Sequence, residues 1–156
     1  TIGAPNLRNG FAKSRTIING KLTPSTGGGL CQLSGIIYHA CLEANLEIVE
    51  RHHHSVDIYE NESDRYAPLG SDATVVYGYK DLRVRNTFES PIKFEFDVQN
   101  HQITISIKSA SEISKQATKF VINNQSGEKI TVSTHVGSNI LCQSNYKKPV
   151  SVSSTC

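Results

Sequence analysis

Gly27-Gly28-Gly29-Leu30-Cys31-Gln32 places a thiol where a glycine-rich turn hands over to an amphipathic run. Leu30, Leu33, Ile37, Cys41 and Ala44 recur at three- and four-residue steps, the pattern of one buried helical face. This spacing predicts a helix from Cys31 to Asn45, with glycines before it and Asn45 to close it. Cys31 then lies in the first turn, where unpaired N–H groups and the positive dipole end stabilise an anion. A thiol so placed loses its proton below its ordinary pKa of about 8.5. The glycines permit backbone angles, and close approach of a substrate, that a side chain would obstruct. Gln32 offers an amide donor beside the Cys31 N–H, suited to an oxyanion that would sit against Gly29 and the first turn. The same residues also fit a plainer description, a structural cysteine beside a turn glycine.

The chain has 156 residues and 37% apolar content, enough for one domain with its own core. A net charge of +2 gives no case for nucleic acid. No stretch of eighteen apolar residues marks a membrane span, and Thr1 opens no signal-peptide pattern. The chain begins in mid-pattern without a methionine, so the missing export signal carries no weight. Cys31, Cys41, Cys142 and Cys156 show neither metal-ligand spacing nor a dense disulfide framework. Cys41 shares the apolar helix face and reads as packing. Cys142 and Cys156 suit a pair in an oxidising compartment, or Cys156 simply ends a disordered tail.

Outside the helix, the pattern is mostly strand. Residues 1–30 read as loops with one strand at Arg15–Asn19. Leu46–Arg51, Ser55–Tyr59, Ala73–Tyr79 and Leu82–Asn86 have strand character, with Gly78 as a bulge. Ile92–Val98 and Gln102–Lys108 alternate at period two around Gln99-Asn100-His101, a hairpin signal. The expected fold is α+β, one main helix carrying the cysteine at its N-terminus and packed on a mostly antiparallel sheet. Residues 1–108 form the main unit. Residues 109–156 are an extension with a linker, a further hairpin of Phe120–Asn123 and Lys129–Ser133 around Asn124–Gly127, and a flexible tail.

Two more constellations carry chemistry. Glu50-Arg51-His52-His53-His54-Ser55 follows the helix closely, and in cysteine-dependent acyl transfer a histidine must act as base toward the thiol and return a proton to the leaving amine. On a strand, His52 and His54 share a side and His53 faces away. A triple His also suits a metal, but no second ligand cluster follows it. Pro68-Leu69-Gly70-Ser71-Asp72-Ala73-Thr74-Val75 puts a carboxylate at the mouth of a strand. Asp72 there either orients an imidazole, the third role of a triad, or caps its own turn.

Gly27-Gly28-Gly29-Leu30-Cys31-Gln32-Leu33-Ser34, Ile48–Ser55, Pro68–Val75, Tyr79-Lys80-Asp81-Leu82 and Arg85-Asn86 occur in order and in register, with Asn9-Gly10-Phe11 and Ile18-Asn19-Gly20 upstream. Over about residues 1–108 the chain resembles the VanW family. The resemblance implies cell-wall chemistry outside the membrane: L,D-transpeptidation of peptidoglycan stem peptides, the formation of 3-3 cross-links. It maps the family's cysteine to Cys31, its His-Ser pair to His54 and Ser55, and its acidic position to Asp72. No cofactor and no metal are expected.

The expected mechanism has Cys31, His54 and Asp72 as the catalytic set. Gly29, Gln32, His52, Ser55 and Arg51 contact substrate or oxyanion, and Arg65, Tyr59 and Tyr77 are further candidate contacts. Two other classes use the same residues differently. A non-catalytic module of the vancomycin-resistance type would hold a stem peptide or glycopeptide with Cys31 idle. A metal-dependent hydrolase would use the His run.

Overall fold

The computed structural model describes residues 3–18, 21–57, 59 and 62–148. Asn19 and Gly20 of one motif, Cys156 with its suggested pairing to Cys142, and the tail from 149 lie outside the described residues. Among the described residues Cys31, Cys41 and Cys142 form no disulfide.

A β-hairpin precedes the helix, β1 (Lys13–Ile18) and β2 (Lys21–Thr26). The first strand lies near its expected place, but β2 falls where the sequence predicts loop, because Pro24 breaks the strand pattern. In a two-stranded ribbon, every residue lies on an edge strand, where a missing N–H is tolerated. After Thr26 the glycine turn leads into α1 (Leu30–Glu43), and Asn45 adopts a left-handed conformation (φ 55°) just beyond its end. Gly29, the N-cap, is left-handed too (φ 91°), a conformation that costs glycine little.

Short strands follow the helix. β3 (Glu47–Glu50) pairs with β4 (Arg83–Arg85), and β5 (Ile92–Gln99) with β6 (Gln102–Ser109). The second pair is the expected hairpin, in register Phe94↔Ile107, Phe96↔Ile105 and Val98↔Ile103. β7 (Thr118–Ser126), β8 (Lys129–Val136) and β9 (Asn139–Lys147) form a three-stranded sheet. All pairings between these strands are antiparallel. The fold is α+β, and among the described residues one main helix lies among four small antiparallel sheets rather than on a single sheet.

The fully buried stripe of α1 is Ser34, Gly35, Tyr38, Cys41 and Leu42, turned slightly from the apolar set read in sequence, in which Leu33 and Ile37 are only half-buried. Tyr38 and Leu42 pack with Ala73, Leu82, Phe120 and Val136, which brings in the C-terminal sheet. Cys41, Ala44 and Leu46 pack with Ile37, Phe94, Ile107 and Ile113, which brings in the β5–β6 hairpin. The helix is therefore clamped on two flanks. No described helix is long and apolar enough to cross a membrane.

Four local expectations fail. Ala73–Tyr79 is no strand: the Ala73 carbonyl accepts from the Ser34 hydroxyl, and the Thr74 N–H donates to the His52 carbonyl, so these groups have no ladder to join. Gly78 sits in a tight turn between Val76 and Lys80 (φ 76°) rather than in a bulge. Ser55–Tyr59 forms only an isolated bridge, Val56 to Lys147, and Ile58 lies outside the described residues. The C-terminal turn falls at Gly127-Glu128, later than expected. β9 escapes the sequence pattern because its inward positions include Ser144 as well as Tyr146, which blunts the alternation of apolar residues.

Candidate active site

The site begins with how the glycine turn seats α1. A Cβ on Gly28 would lie 2.7 Å from the Ser14 backbone, so glycine lets the turn close against β1. Gly29 makes no side-chain cap, and the turn itself meets the helix start, the Leu30 N–H donating to the Gly27 carbonyl at 3.3 Å. One turn on, the helix is pinned to 71–73. The Ser34 hydroxyl lies 2.5 Å from the Ala73 carbonyl oxygen, and a Cβ on Gly35 would stand 3.3 Å from that of Ser71.

Segment 71–73 carries Asp72, and the carboxylate of Asp72 meets His54. Oδ2 accepts from the His54 backbone N–H at 2.6 Å and lies 2.7 Å from its Nδ1. Nδ1–H is thereby committed to the carboxylate, and Cys31 lies close enough to the ring for the two groups to shift each other's ionisation. The structure thus gathers Cys31, His54 and Asp72 in the order thiol, imidazole, carboxylate, with the last two in direct contact. As a thiol, Cys31 also has the Val75 carbonyl oxygen 3.7 Å away as an acceptor.

Electrostatics follow from that line. Burial works against a Cys31 thiolate, but hydrogen bonds from His54 and the Val75 backbone, with the charge of the imidazolium, outweigh it and hold the thiol below its ordinary value. His54 is pushed up to about 9 by its hydrogen bonds to Asp72 and Cys31, against the opposing effect of burial. Asp72 is also opposed by burial, yet His54, Arg51 and Tyr146 bring it down to about 2. Together these shifts move the site toward a thiolate–imidazolium pair beside an ionised carboxylate.

Arg51, expected among the substrate contacts, is turned inward. Its side chain is 6% exposed. Nε donates to the Asp72 carbonyl at 2.8 Å, one terminal nitrogen reaches the Gly70 carbonyl at 2.9 Å and Asp72 Oδ1 at 3.1 Å, and the other donates to the Ser144 hydroxyl at 2.6 Å. The guanidinium also lies 4.9 Å over the Tyr38 ring. A buried guanidinium needs this set of acceptors, and in meeting it Arg51 fixes the whole turn that bears Asp72.

The His run does not converge, because no strand passes through 51–54. His52 pairs with Glu50 at 2.9 Å, on the half-exposed side of the segment. His53 Nδ1 lies 2.7 Å from the His54 carbonyl oxygen, and its ring packs on Tyr146. The expectation that His52 and His54 share a face is therefore corrected. Ser55 is exposed and meets β9 through its carbonyl, which accepts from the Lys147 N–H at 2.9 Å. Gln32 is exposed on the first turn. Arg65 is ion-paired to buried Asp57, and Tyr59 packs edge-on to Tyr66.

Tyr77 is 69% exposed in the turn that follows Val75. Among the described residues no group of three or more His, Cys, Asp or Glu is placed to hold a metal ion.

Three participants escape the sequence reading. Tyr146 donates to Asp72 Oδ1 at 2.6 Å, and Ser144 receives Arg51. Tyr66, half exposed, is pushed up to about 12 by burial and then by its neighbours Tyr59, Asp72 and Cys31, which puts it within electrostatic reach of the pair. No local signal marks the two β9 residues: Tyr146 lies 74 positions from Asp72 and Ser144 lies 93 from Arg51, and only the closed sheet brings them near.

Comparison with known proteins gives a consistent grouping. The family model described as "VanW like protein" matches residues 1–108. An uncharacterised protein of Bacillus subtilis (strain 168), YoaR, is 30% identical over 119 residues, which cover 76% of this chain and 37% of that protein. The vancomycin B-type resistance protein VanW of Enterococcus faecalis (strain ATCC 700802 / V583) is 43% identical over 72 residues, 46% of this chain and 26% of that protein. The chain thus spans well under half the length of these curated relatives. No solved structure gives a significant match.

Proposed function

The chain belongs to the VanW family, and we propose that it is a cell-envelope cysteine acyltransferase acting on peptidoglycan stem peptides, an L,D-transpeptidase. The observation that carries this reading is the line from Cys31 through His54 to Asp72, with the thiol held below its ordinary value. The name of the Enterococcus relative, a vancomycin B-type resistance protein, agrees with a wall substrate.

In this mechanism the Cys31 thiolate attacks the carbonyl of the L-residue that precedes the terminal D-residue of a donor stem. The negative charge moves to the carbonyl oxygen, where the Cys31 N–H and the Gln32 amide are the available donors. The C–N bond then breaks, the His54 imidazolium gives its proton to the departing nitrogen, and the D-amino acid leaves. An amine of an acceptor stem attacks the thioester, passes a proton to His54 and releases the thiolate. Water in place of that amine gives L,D-carboxypeptidase activity.

Intact-mass measurement after exposure to a stem tetrapeptide tests the reading. The expected adduct equals the donor minus its final D-amino acid, located on Cys31 and lost in Cys31→Ala, whose fold is retained. Turnover that survives Cys31→Ala removes the proposal.

A further inference from the structure

The family match ends at residue 108, yet a strand beyond it reaches the site. Tyr146 on β9 is 1% exposed, and its hydroxyl donates to Asp72 Oδ1 at 2.6 Å. Ser144, two residues earlier and fully buried, accepts from Arg51, which also meets Oδ1 at 3.1 Å. Backbone bonds from Lys147 to Ser55 and from Asp57 to Lys147, at 2.9 and 2.8 Å, join the end of β9 to the chain just past His54. One oxygen of the Asp72 carboxylate is thus held by Tyr146 and Arg51, and the other is left to His54.

We propose that β9 completes the active site, with Tyr146, and Ser144 acting through Arg51, as positioning residues that fix the plane of the Asp72 carboxylate toward His54. The inference rests on the reading of Cys31, His54 and Asp72 as the reacting set. A carboxylate rotates about its Cβ–Cγ bond unless both oxygens are engaged. The Tyr146 hydroxyl engages one, and by drawing charge toward Oδ1 it also moderates the pull of Oδ2 on the His54 N–H. That matters for the reaction, because an imidazolium that holds its proton too firmly is a poor acid toward a leaving amine.

Tyr146 also packs with Ile130 and Val132, so a role in packing alone is the competing account. Phenylalanine separates the two, since it keeps the ring and removes only the hydroxyl. The groups that bear on His54 are Asp72 and Cys31. Those that bear on Asp72 are Arg51, Tyr146 and Tyr66, with Tyr38 beneath Arg51 and His53 against the Tyr146 ring.

The test is an NMR titration of the His54 ring in the Cys31→Ala protein, with and without Tyr146→Phe. The midpoint should move by about half a pH unit or more when the hydroxyl is removed, downward where the freed carboxylate turns from His54 and upward where it stays and pulls harder. Asn145→Ala is the control: its exposed side chain pairs with Thr131, so it loosens the same strand and leaves the midpoint in place. A folded Tyr146→Phe protein whose midpoint stays put overturns the proposal. Should that variant fail to fold, Ser144→Ala answers the same question with a smaller shift expected, and an unmoved midpoint is again fatal. Absence of a thioester in the wild-type protein would count against the reaction, whereas a His54 ring indifferent to Tyr146 counts against the positioning role.

Discussion

Cys31 and Cys41 stand on the same helix, ten residues apart, and have opposite chemistry. Burial alone pushes the Cys41 thiol up to about 12, where it packs among Ala44, Leu46 and Ile37. Burial is the largest single influence on Cys31 as well, but there the imidazole of His54 and the Val75 backbone reverse it. The helix contributes its first turn at one end and a packed flank at the other. What separates the proposed nucleophile from a core atom is the polar line behind it, anchored on Arg51 and Asp72.

The largest test of that difference removes the anchor. Arg51→Met leaves Asp72 without its guanidinium in a site where its side chain is 17% exposed, and breaking one partner of a buried pair costs roughly 3–5 kcal/mol. Chemical denaturation should show a loss of that order, and a loss under about 1 kcal/mol would mean that Arg51 is not the hub described above. Next in size is the contrast in reactivity itself. Peptide mapping after brief alkylation near neutral pH should label Cys31 at least about 100-fold faster than Cys41, since thiolate is the reacting form and Cys41 is inaccessible. Equal labelling would erase the distinction.

Stability should depend on pH in a direction fixed by the same line. His54 is raised in the folded state, so its contribution is fully present below its ordinary value of about 6.5 and is lost as pH rises through about 9. Asp72 is lowered, so its contribution is present above about 3.9 and is lost as pH falls through about 2. The melting temperature should therefore be highest between these windows. Asp72→Asn should flatten the alkaline decline, and an unchanged decline would place its origin elsewhere. The smallest effect belongs to the core end: Cys41→Ala should cost about 1–2 kcal/mol and leave Cys31 alkylation unaltered.

The helix, its capping turn and the β5–β6 hairpin were legible in sequence because each is a local pattern. Glycines followed by three- and four-residue spacing mark α1, and strict alternation of Phe94, Phe96, Ile103, Ile105 and Ile107 marks the hairpin. The site was legible only as residue types. Cys31, His54 and Asp72 could be named, but their mutual placement depends on backbone that is neither helix nor strand. Thr74 bonding to the His52 carbonyl and Ser34 reaching the Ala73 carbonyl replace the ladder that the apolar run 73–79 implies. The inward turn of Arg51 and the arrival of Tyr146 and Ser144 are long-range events, invisible to any window along the chain.

The most direct measurement of the central claim is the rate of Cys31 alkylation as a function of pH, followed by mass spectrometry, in the wild-type protein and in His54→Ala. The account predicts a wild-type midpoint below the ordinary thiol value of about 8.5, and a clear upward move when the imidazole is removed. A wild-type midpoint at or above that value, indifferent to the loss of His54, would contradict it.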